Sequence, residues 1–96
     1  VTAVRVAAMR VTAYLPGVRS LKEKRRAVQS VVDRLRARFN VSVAETDHHD
    51  LWQKAEIGIA VVARDGKDLR AVVDAVERHL RGCGDVSVTE VETEYS

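Results

Sequence analysis

The apolar residues of this chain keep two different periods, and they switch between them in the same order twice. From Val4 to Leu15 the chain is rich in Val, Ala and Thr, and it stops at Pro16-Gly17, which cannot continue a strand and favours a turn. Ser20 then stands three residues before Glu23, the spacing in which a hydroxyl caps one helix N–H and a carboxylate reaches back to another. Beyond it Leu21, Val28, Val31, Val32, Leu35 and Phe39 fall within about 100° of one another on a helical wheel, a single stripe fit to cover a sheet. Val41 to Thr46 returns to alternation, and so does Ala55 to Ala63 after the polar break Asp47-His48-His49-Asp50.

The second half repeats the order. Asp65-Gly-Lys-Asp68 supplies turn and cap chemistry, and Leu69, Val72, Val73, Val76 and Leu80 share one helical face before a stop at Gly82. Val86, Val88 and Val91, with Tyr95 beyond them, form a last strand whose alternation slips near Thr89-Glu90, as it would at a bulge. Val31-Val-Asp33 is echoed by Val72-Val-Asp74, and Val41-Ser-Val43 by Val86-Ser-Val88, which marks a duplicated strand-helix-strand unit. Two such units with right-handed crossovers predict an α+β fold: a βαββαβ ferredoxin-like sandwich, a four-stranded antiparallel sheet with two helices on one face. With 96 residues, residues 1–96 are expected to form one domain, because two cores would each be too small.

Composition narrows the function classes. Only 4% of residues are aromatic, so Val, Ala, Leu and Ile must build the core, which favours thin, close-packed layers over a deep cofactor cavity; no cofactor is expected. No apolar run reaches the roughly 20 residues that span a bilayer, and no charged segment with a leader-like apolar block opens the sequence, so a cytoplasmic protein without a membrane partner is expected. The single Cys83, between Gly82 and Gly84, has no partner for an internal disulfide and is read as a turn cysteine with no nearby His.

Net charge is only +2, yet its distribution is uneven. Between Arg19 and Arg38 eight basic residues face two acidic ones, while the remainder of the chain is acidic. Lys22, Arg25, Arg26 and Arg36 fall on one flank of the first helix's apolar stripe, and Arg34 and Arg38 on the other. Such a face could track phosphates over roughly 20 Å; the plainer reading is a solvated helix face. The second helix shifts the balance toward the first reading, because its Asp74/Arg78 and Glu77/Arg81 spacings show what a charge-matched helix looks like in the same chain. Arg19, Lys22, Arg25, Arg26, Arg34, Arg36 and Arg38 are thus the candidate nucleic-acid contacts, by charge and shape and not by sequence.

Other residues allow other readings. Lys24 lies near the apolar stripe, where its stem can follow the core edge and its ammonium can reach a strand carboxylate such as Glu45. Asp47 to Asp50 collects ligand-type residues, but adjacent side chains in extended backbone point apart and no third His or Cys completes a set, so neither a metal site nor a catalytic group is assigned. His79 sits at the margin of its helix's apolar face, and Glu90, Glu92 and Glu94 share one parity of the last strand as an acidic edge. Trp52 could stack on a base or anchor an interface, although plugging the core is the commoner role. On the sheet face away from the helices, Gly58, Ala60 and Val62 offer a small apolar surface suited to self-association; a homo-oligomeric ligand-binding or interaction module is the alternative function, and a homodimer its expected form. No strand carries the aromatic pattern of an RNA-recognition motif.

Three segments taken together, Leu15-Pro-Gly-Val-Arg-Ser-Leu-Lys-Glu-Lys-Arg-Arg26, Arg38-Phe-Asn-Val-Ser-Val-Ala-Glu45 and Asp50-Leu-Trp-Gln53 with Ile57-Gly58, resemble the YlxP-like family of small bacterial proteins. The resemblance implies a ferredoxin-like fold and no catalytic residues. Family members are commonly encoded beside translation-initiation and ribosome-maturation genes, which implies RNA or a ribosomal subunit as the partner of a non-enzymatic factor.

Overall fold

A computed structural model describes residues 3–96. Its elements follow the order β1 (Arg5–Tyr14), α1 (Leu21–Arg38), β2 (Val41–Asp47), β3 (Lys54–Ala63), α2 (Gly66–Arg81) and β4 (Ser87–Tyr95). The strands form one antiparallel sheet in the order β2-β3-β1-β4, the ferredoxin-like arrangement expected from the repeated pattern.

Register explains which face is buried. β1 pairs with β3 from Arg5↔Ala63 to Tyr14↔Lys54, so Ala7, Met9, Val11 and Ala13 lie level with Val61, Ile59, Ile57 and Ala55 on the helix side. Leu69, Val73, Val76 and Leu80 of α2 and Val28, Val31, Val32 and Leu35 of α1 close the other half of one continuous core. Each such aliphatic side chain contributes about 1.5–3 kcal/mol by leaving water, which is why a core without large aromatics suffices. The core holds a void of about 10 Å³ between Val11, Val31 and Leu80, room for no more than one water molecule.

The slip in β4 is a bulge. Thr12 pairs with Glu90 and Ala13 with Val88, leaving Thr89 unpaired in the ladder, its hydroxyl donating to Thr12 O at 3.2 Å. This restores the parity that puts Glu90, Glu92 and Glu94 on the open face. A second bulge, not anticipated from the sequence, leaves Thr46 unpaired, since Glu45 faces Ile57 and Asp47 faces Glu56. Its consequence is local: a Cβ on Gly58 would lie 2.6 Å from Thr46 Cγ2, so a larger residue there would have to displace the Thr46 side chain.

Both helices start at side-chain caps. Ser20 Oγ accepts from Glu23 N at 3.1 Å, and Glu23 Oε2 accepts from Arg19 N at 2.6 Å, one residue earlier than in the usual reciprocal pair. Asp65 Oδ1 accepts from Asp68 N at 2.8 Å, and Gly82 N–H closes α2 on Arg78, His79 and Leu80 carbonyls.

Two stripe assignments are corrected. Leu21, at the first helical position, is 37% exposed, and the core at that end is completed by Leu15 and Val18 of the preceding turn. Lys24 takes the buried place instead, with no exposed surface at all. Phe39 caps the helix just beyond its last residue and is half-buried against the core.

Candidate polyanion interface

The buried stripe divides the cations of α1 into two flanks with different surroundings. One flank lies toward β2, at the sheet edge, where Arg25, Gln29 and Arg36 line a groove of about 360 Å³ floored by Val28, Val32 and Val43. The other turns toward α2, where Arg38, Phe39, Ala75, Arg78 and His79 line a second groove of about 290 Å³.

These surroundings sort the seven predicted contacts. Arg34 is bridged by Asp85, its NH2 group standing 3.2 and 3.0 Å from the two carboxylate oxygens. Arg36 donates to Val43 O at 2.9 Å, covering a backbone acceptor on the edge strand and so discouraging strand addition there. Lys22, Arg25, Arg26 and Arg38 stand exposed without a carboxylate partner among the described residues, as does the Arg19 side chain on the turn before the helix. Asp33, the acidic residue on the outer face, accepts instead from Gln29 at 2.8 Å. Arg19, Lys22, Arg25 and Arg26 therefore concentrate unmatched charge at the N-terminal end of α1.

That end is held by a buried ion pair. Lys24 Nζ lies 2.7 Å from Glu45 Oε2 on β2 and 2.5 Å from His48 O in the following loop, so the strand carboxylate expected from the sequence is its partner, at full burial. An ammonium in the core is tolerable only with such partners. The loop bends sharply there. His48 takes φ +64°, a left-handed conformation uncommon for a side-chain-bearing residue, and its N–H is held by Asp47 Oδ1 at 2.7 Å. That bond, with the neighbouring imidazole second, holds the Asp47 carboxyl below its ordinary range. Leu51 N–H closes the turn on His48 O at 3.1 Å, and His49 Nε2 sits 3.1 Å from Glu45 O. Among the described residues no group of three or more His, Cys, Asp or Glu gathers as a metal site.

Trp52 does not plug the core. It and Leu51 are each 47% exposed, on a loop whose far side is tied to the segment before α1 by Leu15 N–H to Gln53 O at 2.8 Å.

At the helix C-termini, Phe39 and His79 meet edge to face with centroids 5.7 Å apart. Burial, then the nearby Arg38 and Arg34 guanidiniums, hold the His79 imidazole below its ordinary range, consistent with its place at the margin of the apolar face. Cys83 corrects another expectation. Its thiol is buried 3.9 Å from His79 Nε2 and 3.3 Å from His79 O, because α2 stops at Gly82 and the chain turns back over its last turn. The i, i+4 spacing was the sequence signal for this approach. On the same helix Glu77 and Arg81 bridge at 3.0 Å, whereas Asp74 and Arg78 form no ion pair.

The open sheet face is polar across its middle. Thr46 Oγ1 donates to Glu56 Oε2 at 2.6 Å, Glu56 lies 3.6 Å from Arg10 Nε, and Arg10 NH2 is 2.5 Å from Glu92, one member from each strand. The neighbouring Glu92 carboxyl holds Glu90 above its ordinary range, while Glu90 and then Arg10 hold Glu92 below it. Beside this belt Ser42, Ala44, Gly58, Ala60 and Ala8 line a shallow trough of about 320 Å³, with Val62 58% exposed nearby. Gly58 is accounted for by Thr46, which leaves Ala60 and Val62 as the apolar surface of the predicted self-association face. Among the described residues no helix is long and apolar enough to cross a membrane.

Residues 6–93 match the family described as "Protein of unknown function (DUF503)". The chain belongs to that family. It is also 30% identical over 76 residues, 79% of this chain and 83% of the relative, to the "Uncharacterized protein YlxP" of Bacillus subtilis. DUF503 membership agrees with the resemblance carried by the Leu15–Arg26, Arg38–Glu45 and Asp50–Gln53 segments, and it assigns no reaction to Lys24, the histidines or Cys83.

Proposed function

We propose that this DUF503 protein is a non-enzymatic RNA- or ribosome-associated factor that binds phosphate backbone through the N-terminal half of α1. The supporting observation is that Arg19, Lys22, Arg25 and Arg26 cluster there with no carboxylate within ion-pair distance among the described residues. Unmatched like charges on one face repel one another, and a polyanion relieves that repulsion while releasing counterions. Arg36 extends the surface along the groove, with donors to spare after its bond to Val43. Arg34 and Arg38, on the opposite flank, are secondary to it. The contact is to shape and charge, since phosphates carry no base information.

Arg25→Glu with Arg26→Glu is expected to weaken retention on ribosomal subunits and generic RNA strongly while leaving the far-UV circular dichroism and unfolding midpoint unchanged. Retention at the wild-type level would refute the reading. The exposed Ala60 and Val62 support a second one, self-association through the open sheet face. Ala60→Glu should then lower the sedimentation mass, with little response to salt.

A further inference from the structure

From the placement of the one tryptophan we infer that Trp52 is a stacking platform for an unpaired nucleotide of the RNA whose phosphates meet α1. This rests on the phosphate-binding reading above and names the form of nucleic acid that site takes. Trp52 is an indole with nearly half its surface in solvent, although the core is otherwise built from aliphatic residues and half-buries even Phe39.

Its loop is not loosely attached. On one side of Trp52, His48 O accepts from Lys24 Nζ; on the other, Gln53 O accepts from Leu15 N–H, and the Gln53 amide donates to Val18 O at 3.4 Å. Both ties lead to the chain that carries Arg19, Lys22, Arg25 and Arg26, so the exposed ring and the unmatched cations are mounted on the same end of the molecule. Leu51, equally exposed, extends the apolar surface beside the ring.

An apolar platform beside cations fits a ligand with a flat π-face and an anionic backbone. A single strand offers both together, and a duplex hides its base faces inside the stack. The open sheet face sets a single cation, Lys54, level with its outward aromatic, Tyr14, and its central belt is rich in carboxylates that would repel a phosphate backbone.

Trp52 is the only tryptophan in the chain, which makes its fluorescence a direct report on stacking. Full-length protein would be titrated at low salt with a 12-nucleotide single-stranded adenine RNA and with a 12-base-pair RNA duplex. Saturable quenching by the single strand is expected, with little quenching by the duplex. Trp52→Ala should weaken single-strand affinity roughly tenfold or more, as base-aromatic stacking does, and leave duplex affinity within about twofold. Trp52→Phe should keep most of the affinity. If both RNAs bind and neither responds to Trp52→Ala, stacking is overturned and phosphate binding stands. If neither RNA binds at all, both readings fall.

Discussion

The two helices cover the same sheet with stripes of similar aliphatic residues, yet they handle charge in opposite ways. α2 buries only hydrocarbon, bridges Glu77 to Arg81, and sets Arg70 over the Tyr95 ring at 5.8 Å. α1 places a lysine inside its stripe and leaves most of its outer cations unmatched. A helix of this fold can therefore be completed with its charges nearly balanced in number, as α2 is with four basic residues (Lys67, Arg70, Arg78, Arg81) against three acidic ones (Asp68, Asp74, Glu77), and the surplus on α1 is not a requirement of covering a sheet. The buried Lys24 belongs to architecture, and the exposed Arg19, Lys22, Arg25 and Arg26 are the residues to which we assign the proposed function.

That division can be tested, beginning where the effect is largest. Lys24→Ala should lower stability by about 3 kcal/mol in urea denaturation, because it strands Glu45 in a mostly buried position. Lys24→Met with Glu45→Leu should recover most of the loss. If the single substitution were silent, Lys24 would have to be grouped with the outer cations.

Ser20→Ala on α1 and Asp65→Ala on α2 should each cost about 1 kcal/mol, since each cap satisfies one backbone donor at its helix start. Equal losses would show that the helices differ in outer charge and not in how they begin. A loss at one end only would break that comparison.

The smallest effect lies between the helices. His79 has a folded pKa below its ordinary value, through burial first and then Arg38 and Arg34. The unfolded chain therefore binds a proton more readily, and this group's contribution to stability is present above about pH 6.5 and declines as pH falls from there toward the lowered folded pKa. Following the His79 ring proton by NMR should give a midpoint below that of an unstructured histidine. Arg38→Gln should raise it, and an unchanged midpoint would remove Arg38 from the cause.

What could be read from the sequence was local and periodic. The strand-helix alternation, the Ser20-Glu23 and Asp65-Asp68 caps, and the slip at Thr89-Glu90 are set by residues within a few positions of one another, and each appears where its pattern put it. The candidate site was legible as a charge imbalance, but its division into two flanks was not. Arg34 meets Asp85 across 51 positions, and Arg36 turns to the backbone of β2, neither of which periodicity can register. The Thr46 bulge was hidden because polar residues on an open face carry no apolar alternation to be interrupted. Leu21 and Lys24 exchanged their expected burial because the wheel gives an angle but not the depth of the core beneath each turn.

The division of labour on α1 is tested most directly by the salt dependence of RNA binding. If the four cations at the helix N-terminus contact phosphate, log affinity for single-stranded RNA should fall against log salt with a slope of about −3, and Arg25→Glu with Arg26→Glu should reduce that slope to about −1.5 or less. A slope near zero, or one the double substitution leaves unchanged, would contradict the account.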